Sequence, residues 1–83
     1  MVSAKWSDKA LEDLKELDSI IRERVLAKVS WLEENFSDVV RDHLHHELRE
    51  LYKLRVGDYR AIYSIHRGNI VIEAVRHRRD AYK

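Results

Sequence analysis

Between residues 36 and 51 the spacing of apolar side chains changes its period, and that change restricts the chain to a mixed helix-and-sheet fold. Before it, Ala10, Leu14 and Leu17 recur at helical spacing with Leu11 beside them, after Ser7, a residue type that caps helices. Asp18 and Ser19 repeat the capping signal, and Ile21, Val25, Val29, Leu32 and Phe36 then step by four, four, three and four. Both stripes read as core, with Ile20 and Trp31 flanking the second, and together they predict a helical hairpin. From Leu51 apolar residues alternate, and the chain's two glycines, Gly57 and Gly68, each fall between alternating segments, where hairpin turns belong. Three antiparallel strands are expected at about 50–56, 59–66 and 70–77. Val2 to Trp6 is short and alternating and reads as a first strand. The expectation is a single α+β domain over residues 1–83, an N-terminal strand and helical hairpin packed on an antiparallel β-meander. Residues 37–50 stay open between a third helix and a structured loop.

Charge is unevenly placed. The whole chain carries +1, yet residues 1–40 hold 6 basic and 9 acidic side chains, whereas residues 41–83 hold 10 and 6 and all five histidines. The second half is thus suited to an anionic partner. No cysteine is present, the N-terminus has no signal-peptide pattern, and no apolar run approaches membrane length. A cytoplasmic protein with no membrane association is expected. His43, His45, His46 and Glu47 lack the i, i+4 histidine pair of helical zinc sites, so they read as a solvated loop and no metal or other cofactor is expected.

The segment YKLRVGDYRAIY, residues 52–63, sharpens the partner's chemistry. With Gly57-Asp58 as a two-residue turn, Val56 faces Tyr59, Arg55 faces Arg60, Leu54 faces Ala61, Lys53 faces Ile62 and Tyr52 faces Tyr63. One side of the hairpin is then apolar, and the other carries Lys53, Arg55, Arg60 and Ile62. Directly opposed like charges destabilise a sheet by a few tenths to about 1 kcal/mol. An ordinary wet face would place a neutral or oppositely charged residue there, so the pair points to an anion site. Guanidinium groups match phosphate oxygens. On this reading, loss of Arg60 should leave stability unchanged or slightly raised. The segment VRHRRDAYK adds Arg76, His77, Arg78, Arg79 and Tyr82. A three-residue turn at 67–69 would bring Arg76 and Arg78 to the cationic face, and a two-residue turn would bring His77 there instead. Both sides of IVIEAV are apolar, so the pattern leaves this open.

The stretch LYKLRVGDYRAIYSI and the ending VRHRRDAY resemble the RelE/ParE superfamily of toxins from type II toxin–antitoxin systems, across nearly the whole chain. The resemblance implies a RelE-like fold and a cognate RelB-like antitoxin as partner, with oligomers formed only through that antitoxin. RelE-type members are metal-independent, ribosome-dependent endoribonucleases that cut mRNA and inhibit translation. ParE-type members inhibit DNA gyrase without being enzymes. By resemblance to the RelE type, Lys53 and Arg55 match two strand cations, Arg60 the arginine after the strand tyrosine, Arg78 the last-strand arginine and Tyr82 the C-terminal tyrosine. In such a site the 2′-hydroxyl attacks the adjacent phosphate, giving a 2′,3′-cyclic phosphate and a 5′-hydroxyl. Tyr82 would be the base if cations lower its pKa from about 10, and Arg60 would brace the phosphate. Lys53, Arg55 and Arg76 would bind flanking RNA. Arg78 would stand near the leaving oxygen, with His77, as a histidine, the more natural acid. The favoured expectation is the ribonuclease acting on ribosome-bound mRNA. The alternatives are the gyrase inhibitor and an inactive RelE-like module that binds antitoxin or RNA.

Overall fold

The computed structural model describes residues 2–36 and 51–81. They form β1 (Ala4–Trp6), α1 (Asp8–Lys15), α2 (Ser19–Glu34), β2 (Tyr52–Val56), β3 (Tyr59–His66), β4 (Asn69–His77) and a short α3 (Arg78–Ala81). The sheet runs β1-β4-β3-β2, with β1 parallel to β4 and the other neighbours antiparallel. This is the expected α+β arrangement. Residues 37–50, with the histidine cluster, lie outside the described residues, as does Tyr82.

Both helix starts follow from their caps. Ser7 Oγ accepts from the Ala10 amide at 3.0 Å, and Asp18 Oδ1 accepts from the Ile21 amide at 3.0 Å. The hairpin between α1 and α2 is fastened by Arg22, whose guanidinium donates to the carbonyls of Leu14, Lys15 and Leu17. The Leu14 carbonyl also accepts from the Leu17 amide at 3.2 Å, so Arg22 adds to the closing of this helix end, where carbonyls run out of partners within the helix. At the outer edge of the sheet, Glu33 of α2 accepts from the Ala4 amide at 2.7 Å.

The helices cover one sheet face. Ala10, Val25, Val29 and Leu32 pack against Leu54, Val56, Ala61, Tyr63, Ile70, Ile72 and Val75. The periodic stripe is therefore core at its centre, whereas Ile20 and Trp31, expected to flank it, are exposed. No helix among the described residues is long and apolar enough to cross a membrane.

Both tight turns obey their glycines. Gly57 has φ of 59° and its turn partner Asp58 does not adopt positive φ, the pattern of a type II′ hairpin. Arg67 and Gly68 both have positive φ, 53° and 81°, as type I′ requires.

Tyr63 is fully buried at the sheet centre and stacks on Tyr52, ring centroids 5.2 Å apart. Burial, with a smaller contribution from the neighbouring Tyr52 phenol, pushes its pKa up to about 12. The folded state therefore holds this proton after the unfolded chain, near 10, has lost it. Stability from this group is complete below pH ~10 and is lost as pH rises from there toward ~12. Denaturation midpoints measured across that window should fall more steeply for the wild type than for Tyr63→Phe. Parallel curves would reject the assignment.

Candidate nucleic-acid interface

All five pairs expected for the β2–β3 hairpin are present, including Arg55 opposite Arg60. The third strand completes a row. Its turn is the two-residue form, with His66 opposite Asn69, and by strict alternation that turn would have brought His77 to the cationic face. A β-bulge intervenes. Tyr63 pairs with Ile72 but Ile62 pairs with Ala74, so Glu73 is the extra residue. Past it the phase is inverted, Arg76 stands opposite Arg60, and His77 stands opposite Tyr59 on the other face.

Helix α1 holds this bulge. The Glu73 carbonyl accepts from Ser7 Oγ at 3.0 Å, and the Val75 amide donates to Asp13 Oδ2 at 2.9 Å. Glu73 turns its carboxylate to Ser64 Oγ at 2.6 Å. Polar backbone groups displaced by the bulge thus find side-chain partners, as buried groups must. The N-cap of α1 thereby helps decide which face Arg76 occupies.

The result is Arg55, Arg60 and Arg76 side by side on three adjacent strands, within about 10 Å at strand spacing. Among the described residues no carboxylate pairs with any of them. Lys53 is exposed on the same face, one pleat further along β2. Arg55 and Arg76 are exposed, but Arg60 is only 7% exposed. Its Nη1 donates to the carbonyls of Tyr59 at 3.0 Å and Gly57 at 3.3 Å. This corrects the expectation that Arg60 is a free platform residue whose loss would cost no stability. Alternation places it on the open face, but the guanidinium is turned back on the hairpin turn and braces it.

The C-terminal candidates separate. His77 packs edge-on against Tyr59, centroids 5.1 Å apart, and its Nδ1 accepts from the Arg79 amide at 3.3 Å. Facing away from the arginine row, it does not join the site. Arg78 leaves the strand and opens α3, where its amide donates to the Asp58 carbonyl at 2.7 Å. Its guanidinium reaches the Asp58 carboxylate at 4.0 Å, a solvent-exposed pair worth little. Among the described residues no group of three or more His, Cys, Asp or Glu side chains is placed to hold a metal.

Sequence reasoning passed over a second feature. A groove of about 400 Å³ opens beside Arg55, lined by Arg24, Ala27, Lys28 and Trp31 of α2 and by residues 55–57 of the hairpin. Its signal was present in the i, i+4, i+7, i+11 run of Ile20, Arg24, Ala27 and Trp31, which reads more readily as an outer helix face.

A strand-and-helical-hairpin layer on this sheet, with an arginine row on the face turned away from the helical core, defines a toxin of the RelE/ParE superfamily from a type II toxin–antitoxin system. Within it, the chain belongs to the family described as the ParE toxin of the type II toxin–antitoxin system parDE, whose model matches residues 4–82. The fold is similar to a chain of the RelBE2 toxin–antitoxin complex of Mycobacterium tuberculosis, with a TM-score of 0.75 and 26% identity over 92% of this chain and 96% of that one. It is similar also to a chain of the archaeal RelE–RelB complex of Pyrococcus horikoshii OT3, with a TM-score of 0.72 and 27% identity over 93% and 94%. A chain of the chromosomal ParDE system of Pseudomonas aeruginosa matches with a TM-score of 0.59 and 16% identity over 93% and 96%. No curated protein matches the chain.

Proposed function

We propose that this protein is a RelE-type toxin, a metal-independent endoribonuclease that cuts mRNA on the ribosome and is neutralised by a cognate RelB-like antitoxin. The row of Arg55, Arg60 and Arg76 carries the reading. Three opposed cations without carboxylate partners among the described residues cost sheet stability, and a polyanion seated on them relieves that cost. Arg55 and Arg76 would contact phosphate oxygens directly, with Lys53 holding the flanking strand. Arg60, buried between them, would contribute fixed positive charge as the phosphorane forms. By the resemblance to RelE-type members, Tyr82 would take the 2′-hydroxyl proton. Arg78, beside the hairpin turn, would face the departing 5′-oxygen. The 2′-oxygen bonds to phosphorus, the bond to the 5′-oxygen breaks, and that oxygen takes a proton from water.

A second reading, the ParE-type gyrase inhibitor, is favoured by the family match over residues 4–82. It requires no phosphate site. Incubation with programmed ribosomes, with mapping of mRNA ends, should yield cleaved message with 5′-hydroxyl ends. Intact message together with blocked gyrase supercoiling would replace the first reading by the second.

A further inference from the structure

The groove between α2 and the β2–β3 turn lies outside the arginine row but shares one residue with it, Arg55. Its described lining contains three cations, Arg24, Lys28 and Arg55, and no carboxylate. It also contains an indole left 40% exposed, Trp31, outside the core cluster. The Lys28 ammonium lies over that ring, 4.1 Å from its centroid. A flat aromatic surface among cations on a charged track is how proteins hold single-stranded nucleic acid.

We propose that this groove is a stacking subsite for one unpaired nucleotide of the RNA strand that crosses the arginine row, with Trp31 receiving the base and Arg24, Lys28 and Arg55 its phosphates. The proposal rests on the RNA-cleaving reading and extends it beyond the sheet face. The size suits it, since about 400 Å³ is at the small end of the roughly 300–1,000 Å³ typical of small-molecule sites. The energies suit it too. An exposed cation–π contact is worth about 0.5–1 kcal/mol, whereas base–aromatic stacking is worth about 1–3 kcal/mol. A base therefore displaces Lys28 from the ring, and the freed ammonium becomes available to the adjacent phosphate. Arg55 links the two surfaces, so a strand can run from the open sheet face over the hairpin end onto α2 without leaving positive potential.

The test is binding of a fluorescent single-stranded 2′-O-methyl oligoadenylate to the full chain, followed by anisotropy. The methyl group blocks 2′-attack, so binding is read without cleavage and without ribosomes. Trp31→Ala should bind about tenfold more weakly with an unchanged melting temperature, and Trp31→Phe should retain most of the affinity. Arg24→Gln and Lys28→Gln should each lower the slope of log affinity against log salt by about 0.7. Wild-type affinity in Trp31→Ala overturns the subsite. So does a Trp31→Ala defect confined to capture of an acidic antitoxin segment, which would make the groove a peptide site. Uncut mRNA on ribosomes alongside Trp31-dependent oligonucleotide binding would remove the ribonuclease reading and keep the groove. Normal cutting with Trp31-independent binding would do the reverse.

Discussion

Leu32→Ala should lower folding stability by about 2–5 kcal/mol, the range for truncating a large aliphatic side chain in a closed core. Leu32 has no exposed surface and belongs, with Val25 and Val29, to the side of α2 that meets the sheet. Domains of this size have only about 5–15 kcal/mol in total. The loss therefore consumes a large share of the margin, and the melting temperature should fall by roughly 10 °C or more. Ile20, on the same helix but 66% exposed, is the control. Ile20→Ala should stay within about 0.5 kcal/mol. Equal denaturation midpoints for Leu32→Ala and wild type would remove α2 from its assigned packing.

That contrast within one helix shows what the pattern could specify. The four-four-three-four run determines which side of α2 is core, because only those positions share a face over four turns. The β2–β3 register was equally legible, since Gly57 fixes the turn and the turn fixes every pair after it. The last strand was not. IVIEAV is apolar at both phases, so alternation has nothing to choose between. The choice is made by Ser7 and Asp13, more than sixty residues away, which supply partners to the bulged backbone. The parallel pairing of β1 with β4 is similarly non-local. Burial depth was also beyond the pattern. Alternation assigned Arg60 to a face but carried no information on whether its long side chain would extend or fold back. His77 and Arg78 are adjacent in sequence, yet the strand ends between them, and they are directed to different surroundings.

Arg60 and Arg76 now make opposite demands on stability and a common demand on function. Arg60→Ala removes the donor to the Tyr59 and Gly57 carbonyls and the packing of a buried stem. Those losses should cost about 1–3 kcal/mol. Relief of repulsion against two neighbouring arginines returns only a few tenths to about 1 kcal/mol per pair. The net effect should be destabilising, and any loss of cleavage must be measured where the variant is still folded. Arg76→Ala is the cleaner probe. Its side chain is exposed and has no carboxylate partner among the described residues, so stability should be unchanged or slightly raised. If the row stabilises charge growing on the phosphate, removing one of its members should slow mRNA cutting on the order of 100-fold, with ribosome binding affected less. A stable Arg76→Ala that cuts at the wild-type rate would show that the row is not where the phosphate reacts. If Arg60→Ala alone then lost activity in step with its folded fraction, the buried arginine would be a brace for the β2–β3 turn and nothing more.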